Sequence, residues 1–177
     1  SDLGLLLGGN KSLFSFLSYQ ADRGIQIESP IASWWIWSGE FGLSRAGIYY
    51  DKLLMTFQVA GDGVGLVSSL MGYAMFIALG ITVWLAWRAA KAGGEFETIM
   101  PLAALTAVLD LIVFNKVGSP QFATWLAVPI ILGMLYRVQN WKVATYSVIA
   151  LGLVTYLIYP VIYDHVLNAE IWALGIL

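Results

Sequence analysis

The stretch that decides the fold is VGLVSSLMGYAMFIALGITVWLAW, residues 64–87, which contains no charged residue and is followed at once by Arg88 and Lys91. A helix needs about 20 apolar residues to cross a hydrocarbon core of about 30 Å, and this run exceeds that. Three further stretches share its character: 98–114, 120–136 and 143–162. Pro101 and Pro129 interrupt two of them. A proline in a first helical turn, or a kink at a proline within a membrane helix, is compatible with a span. The expected fold is therefore all-α, a polytopic transmembrane helix bundle of about four spans over 64–177.

Composition agrees with that expectation. Hydrophobic residues make up 59% of the 177-residue chain and charged residues 11%, and the mean hydropathy is +0.77. Soluble domains carry about 25% charged residues, so this chain has too little polar surface to cover a water-facing exterior. A formal net charge of -2 offers no nucleic-acid surface. The absence of cysteine excludes disulfides and thiolate chemistry, and a single histidine excludes a multi-histidine metal centre. No cofactor is implied. The chain starts at Ser1 without a methionine and stops inside the apolar run 171–177, so the expectation is a fragment of a longer polytopic protein.

Orientation follows from the cations. Arg88 and Lys91 occupy one short connection, while Arg137 and Lys142 occupy another two crossings later. An up-and-down bundle puts both on one face, which the positive-inside rule makes cytoplasmic. Trp84, Trp87 and Trp141 flank these connections as interfacial tryptophans do. The opposite face then receives 115–119, the Asp164-His165 end and the first 63 residues. Lys11, Arg23, Arg45 and Lys52 run against this assignment, although the rule is weak for long translocated segments.

Residues 1–63 read as an interfacial and re-entrant region rather than a span. The stretch 12–21 suits a short helix lying in the interface, and 31–41, with Trp34, Trp35 and Trp37, is apolar but too short to cross. Residues 48–60 are rich in β-formers and suit a small hairpin turning at Asp51-Lys52. Gly61-Asp62-Gly63 then breaks the chain before the first span.

Two polar motifs share a form: RGIQIESP at 23–30 and NKVGSPQ at 115–121. Each ends in Ser-Pro ahead of an apolar run, the pattern of an N-cap serine followed by a proline in the first helical position. Each carries a cation upstream, Arg23 or Lys116. Helix N-termini attract anions, so two such starts on one face suit a phosphate or pyrophosphate. Ser-Pro caps are also ordinary helix punctuation, and a lysine at this depth can snorkel to water. Asp110 is an intramembrane carboxylate, a candidate for function or for pairing with a neighbour. Asp164-His165 reads chiefly as an interfacial helix end.

These two motifs, followed by Phe122, Trp125 and Pro129, resemble the GT-C superfamily of membrane glycosyltransferases. The second is similar to the Lys-Val-x-Ser-Pro-Gln-Tyr/Phe pattern of the bacterial polyprenyl-phosphate-mannose-dependent α-mannosyltransferases. The resemblance spans roughly residues 16–129. It implies a lipid-linked sugar donor, polyprenyl phosphate in the membrane, and transfer to a glycan or glycolipid acceptor on the extracytoplasmic face of a bacterial cytoplasmic membrane. It further implies that Arg23 and Lys116 contact the donor phosphate while Gln26, Glu28, Ser119 and Gln121 line the site. Such enzymes carry their catalytic acid in the first extracytoplasmic loop, and no stretch of this chain matches that loop, so the general base is unassigned. The alternative is a non-enzymatic transporter or lipid-phosphate-binding module using the same two helix ends.

Overall fold

The computed structural model describes residues 24–176. Arg23, Lys11 and the interfacial helix expected over 12–21 lie outside the described residues. The described chain opens with the extended segment Ile25-Gln26-Ile27, which runs beside a hairpin. Strands β1 (Gly47–Asp51) and β2 (Thr56–Ala60) pair antiparallel with Tyr49 opposite Gln58. The turn forms because Asp51 Oδ1 accepts the N–H groups of Leu53 and Leu54 at 2.8 and 3.1 Å. The Val59 N–H donates to the Ile25 carbonyl at 3.0 Å and the Ile27 N–H to the Phe57 carbonyl at 3.2 Å. The first polar motif is thereby laid along the expected hairpin, joined to β2 by a single bridge between Gln26 and Gln58.

Between the motif and the hairpin lies α1 (Ala32–Glu40), nine residues long. At 1.5 Å per residue this is about 14 Å, too short to cross a bilayer, as its sequence suggests. The Trp35 indole donates to the Asp62 carbonyl at 3.0 Å and ties α1 to the glycine-flanked break. Gly63 sits at φ 78, a conformation that glycine adopts without steric cost, and turns the chain into the first long helix.

That helix, α2 (Val64–Lys91), is 28 residues long and reaches about 42 Å. Its partner α3 (Phe96–Val113) begins two residues before the expected start, which moves Pro101 beyond the first turn and into the helix. The third apolar stretch departs from expectation. It forms α4 (Phe122–Trp125) and α5 (Ala127–Leu135), parted at Leu126. Pro129 has no N–H to give the Trp125 carbonyl, and its ring crowds that carbonyl, so the helix breaks there. Together the two pieces span Phe122–Leu135, shorter than a crossing requires.

The last segment begins with α6 (Trp141–Tyr156) and passes through a wide turn, Leu157–Ile162, into α7 (Tyr163–Leu167) and α8 (Ile171–Leu174). Tyr159 is non-helical within that turn (φ -113, ψ 111), directly before Pro160. Among the described residues, three helical segments are long and apolar enough to cross a membrane: Val64–Lys91, Phe96–Val113 and Trp141–Leu167. Their most apolar windows are only 11%, 6% and 6% buried within the protein, so most of their side chains face outward. An apolar exterior of this extent needs lipid as its solvent, and the chain is an integral membrane protein.

The buried core sits at one end of the bundle. Ile25, Ile27, Trp35, Ile36, Val59 and Val64 pack with Val166, Ala173 and Leu174, so the core crosses the boundary expected at 63/64 and joins the N-terminal region to the C-terminal turns. Trp141 also departs from its expected interfacial place. It is buried, its ring presses on Gly133, and its indole donates to the Ile130 carbonyl at 2.9 Å. Trp84 and Trp87 instead lie beneath cations, with Arg88 4.9 Å and Lys91 4.4 Å from the ring centroids.

Candidate functional site

The two polar motifs are brought together. The Gln26 N–H donates to the Lys116 carbonyl at 2.9 Å, and the Ser29 hydroxyl donates to the Asn115 carbonyl at 2.7 Å. Asn115 shapes its own loop, its Oδ1 accepting the Val117 N–H at 3.0 Å. Gly118 lies so close to the Glu28 backbone that a Cβ there would overlap its carbonyl. The motif therefore needs glycine at 118 for close approach rather than for a turn.

These contacts correct one expectation. Neither serine caps a helix through its side chain: the N-cap positions are Ile31 and Gln121, each without a side-chain hydrogen bond. Ser29 is held by Asn115 on the other motif, a tertiary partner that takes the hydroxyl away from its own helix. The second helix start opens only the four residues of α4 before the Pro129 break. Two strong helix dipoles aimed at one anion are not what this end of the molecule presents.

What it presents is a carboxylate. Glu28 Oε1 accepts the hydroxyls of Tyr159 at 2.7 Å and Tyr163 at 2.6 Å. The break before Pro160 lets both phenols reach the same oxygen, with ring centroids 4.3 Å apart. Glu28 Oε2 is buried and has no hydrogen-bond partner. A buried acceptor left unpaired is costly.

Two cavities meet at this wall. One, of about 270 Å³, is mainly apolar and lies among Ile112 of α3, Phe122 and Ala123 of α4, and Leu151, Val154 and Ile158 of the last segment. The other, of about 450 Å³, lies beside the hairpin and is lined by Gln26, Thr56, Phe57, Val117 and Gln121. Glu28, Gly118, Ser119, Pro120, Phe122, Tyr159 and Tyr163 line both.

The expected site residues thus divide. Gln26, Glu28, Ser119 and Gln121 gather on one or both cavities. Lys116 belongs to the same loop, but its ammonium donates to Ser68 of α2 at 3.3 Å and it lines neither cavity. Arg23 lies outside the described residues. Asp110 has found its neighbour, accepting the Thr82 hydroxyl at 2.7 Å across α2 and α3. His165 lies 2.9 Å not from Asp164 but from Glu170, which also accepts the Trp172 indole N–H at 2.7 Å. Chiefly the His165 hydrogen bond, then that of Trp172, holds the Glu170 carboxyl below the usual range. Among the described residues no three metal-ligating side chains gather.

Tyr159 and Tyr163 escape the sequence reading, which follows cations and Ser-Pro starts. The available signal is two hydroxyls four residues apart, flanking a proline near the end of a span. No family model matches the chain, and neither the curated proteins nor the solved structures give a match.

Proposed function

We propose that this chain is part of an integral membrane glycosyltransferase that moves mannose from a polyprenyl-phosphate donor to a glycan or glycolipid acceptor on the extracytoplasmic face of a bacterial cytoplasmic membrane. The observation that carries this reading is that the two motifs are joined, so that Glu28, Gly118 and Ser119 line two adjoining cavities, both mainly apolar and the one beside the hairpin bearing the amides of Gln26 and Gln121. The shared wall is built from the two motifs that carry the glycosyltransferase resemblance. In this reading Arg23 and Lys116 take the donor phosphate, on the strength of that resemblance. Glu28 is a binding residue, and the general base belongs to the acidic first loop that the resemblance implies.

The test uses the full-length protein in proteoliposomes with polyprenyl-phosphate mannose labelled in the sugar. Transfer to an acceptor, reduced tenfold or more by Lys116→Ala, is the expected result. Undiminished transfer in both Lys116→Ala and Arg23→Ala would remove the phosphate assignment. Donor crossing the bilayer without any sugar transfer would favour the transporter alternative.

A further inference from the structure

We infer that Gln26 is a specificity-determining residue of the proposed transferase, its side-chain amide taking two neighbouring hydroxyls on the glycosyl head of the donor. The inference rests on the glycosyltransferase reading for the identity of the ligand, while its geometry is read from the chain itself. Ile25 and Ile27 are buried in the core. Side chains alternate along an extended segment, so Gln26 turns to the opposite side, and it lines the cavity beside the hairpin. Gln26 is only 4% exposed, and among the described residues its side-chain amide makes no hydrogen bond. Its bridge partner differs: the Gln58 amide oxygen accepts the Tyr49 hydroxyl at 3.0 Å, and Gln58 does not line that cavity. Glu28 Oε2 is the one unpaired side-chain atom among the described residues that is sealed from every surface. The Gln26 amide is unpaired but not sealed, so the little surface this residue keeps opens on the cavity.

The chemistry of an amide sets the ligand. Its carbonyl accepts and its NH₂ donates, so both ends are used only by a group that gives one hydrogen bond and takes another. Two adjacent sugar hydroxyls do this. A phosphate oxygen only accepts and engages the NH₂ alone, and the donor phosphate keeps the place proposed for it at Arg23 and Lys116. The Gln26 N–H donates to the Lys116 carbonyl at 2.9 Å, so the amide stands beside the loop where a sugar joined to that phosphate has to lie. Ser119 and Gln121 of the same loop add a hydroxyl and an amide, while Phe57 and Phe122 give a sugar ring an apolar surface. A volume of about 450 Å³ with mainly apolar walls and a few placed polar groups is the make-up of a small-ligand site.

The discriminating variant is Gln26→Leu, which keeps the size of the side chain and removes both polar ends. Gln26→Asn keeps the amide but withdraws it by one carbon, and it serves where the leucine variant does not fold. The full-length protein in detergent is titrated by tryptophan fluorescence with n-octyl α-D-mannopyranoside, with its monodeoxy analogues and with n-octyl phosphate. The expected result is a mannoside Kd raised about tenfold or more in either variant, with the Kd for octyl phosphate within about twofold of wild type. Wild type should lose a similar factor towards the analogue that lacks a hydroxyl taken by Gln26, whereas the variants bind that analogue and the mannoside alike. An unchanged mannoside Kd, or equal weakening of mannoside and phosphate, would overturn the inference. So would a wild-type protein indifferent to every missing hydroxyl. The transfer assay separates this failure from failure of the enzyme reading. Gln26-dependent mannoside binding without any transfer sinks the enzyme and leaves the sugar subsite standing. Transfer by a protein whose mannoside affinity ignores Gln26 does the reverse.

Discussion

The backbone N–H of Gln26 donates to the carbonyl of Lys116 at 2.9 Å, joining two loops that are distant in sequence. Gln26 is also paired with Gln58 on its other side, so the first motif lies between the hairpin and the 115–121 loop. Placement of Glu28 two residues later is therefore fixed by main chain on both sides. A carboxylate held this way keeps its position without relying on its own side-chain entropy, which is how a binding group is preorganised.

Gly118→Ala tests how tightly that placement is set. The added Cβ would overlap the Glu28 backbone, which cannot swing aside as a side chain would. Overpacking of this kind typically costs about 1–3 kcal/mol, and the upper half of that range is expected here. Unfolding in mixed micelles checks it. Gly72→Ala is the control, because nothing lies within 4 Å of its Cβ and alanine favours a helix interior by about 0.5–1 kcal/mol. Equal stability of the two variants would show that the loops are not closely apposed.

Much of the architecture was legible in local pattern. The helix α2 declares itself by uncharged length, and the hairpin by β-formers around Asp51. The third span misled because its helix runs only over Phe122–Leu135, and hydropathy does not register where a helix begins and ends. The site was half legible. Its two motifs stand out because charged and amide groups are rare in this chain. The tyrosines do not, since their contacts with Glu28 cross 131 and 135 residues and follow from tertiary packing alone. Lys116 marks the right loop, but its ammonium donates to a serine on α2 and it lines neither cavity.

Glu170 gives a pH prediction outside the membrane spans. Its folded pKa is lowered by the hydrogen bonds from His165 and Trp172. A lowered carboxyl contributes fully above the ordinary glutamate range, and the contribution is lost as pH falls through the depressed folded value. Trp172 emission, taken as the difference between wild type and Trp172→Phe, should therefore titrate with a midpoint below that of an ordinary exposed glutamate. Glu170→Gln should abolish the transition. A midpoint at or above the ordinary value would mean that the cluster does not persist in solution.

Asp110 is expected to matter for stability and not for donor binding. Its Oδ2 accepts the Thr82 hydroxyl, and Thr82 is buried between α2 and α3. Interhelical hydrogen bonds in membranes average about 0.6 kcal/mol and reach about 1.7. A double-mutant cycle of Thr82→Val with Asp110→Ala should give a coupling of about 1 kcal/mol in unfolding, with mannoside affinity unchanged. Loss of affinity in Thr82→Val would return Asp110 to the list of binding groups.

The tyrosine pair carries the last prediction. Tyr159→Phe or Tyr163→Phe leaves one hydroxyl on Glu28 Oε1, whereas the double variant leaves none. A charge-assisted hydrogen bond contributes about 1.5–3 kcal/mol, so each single variant should cost stability while Glu28 stays tethered. The double variant leaves a carboxylate oxygen with no donor, a penalty that neither single variant incurs. Unfolding of the double variant should therefore cost more than the two single losses added together, with a coupling of about 1 kcal/mol or more. Strictly additive losses would mean that the phenols merely fill the space beside Glu28, since packing deleted at two rings carries no shared acceptor.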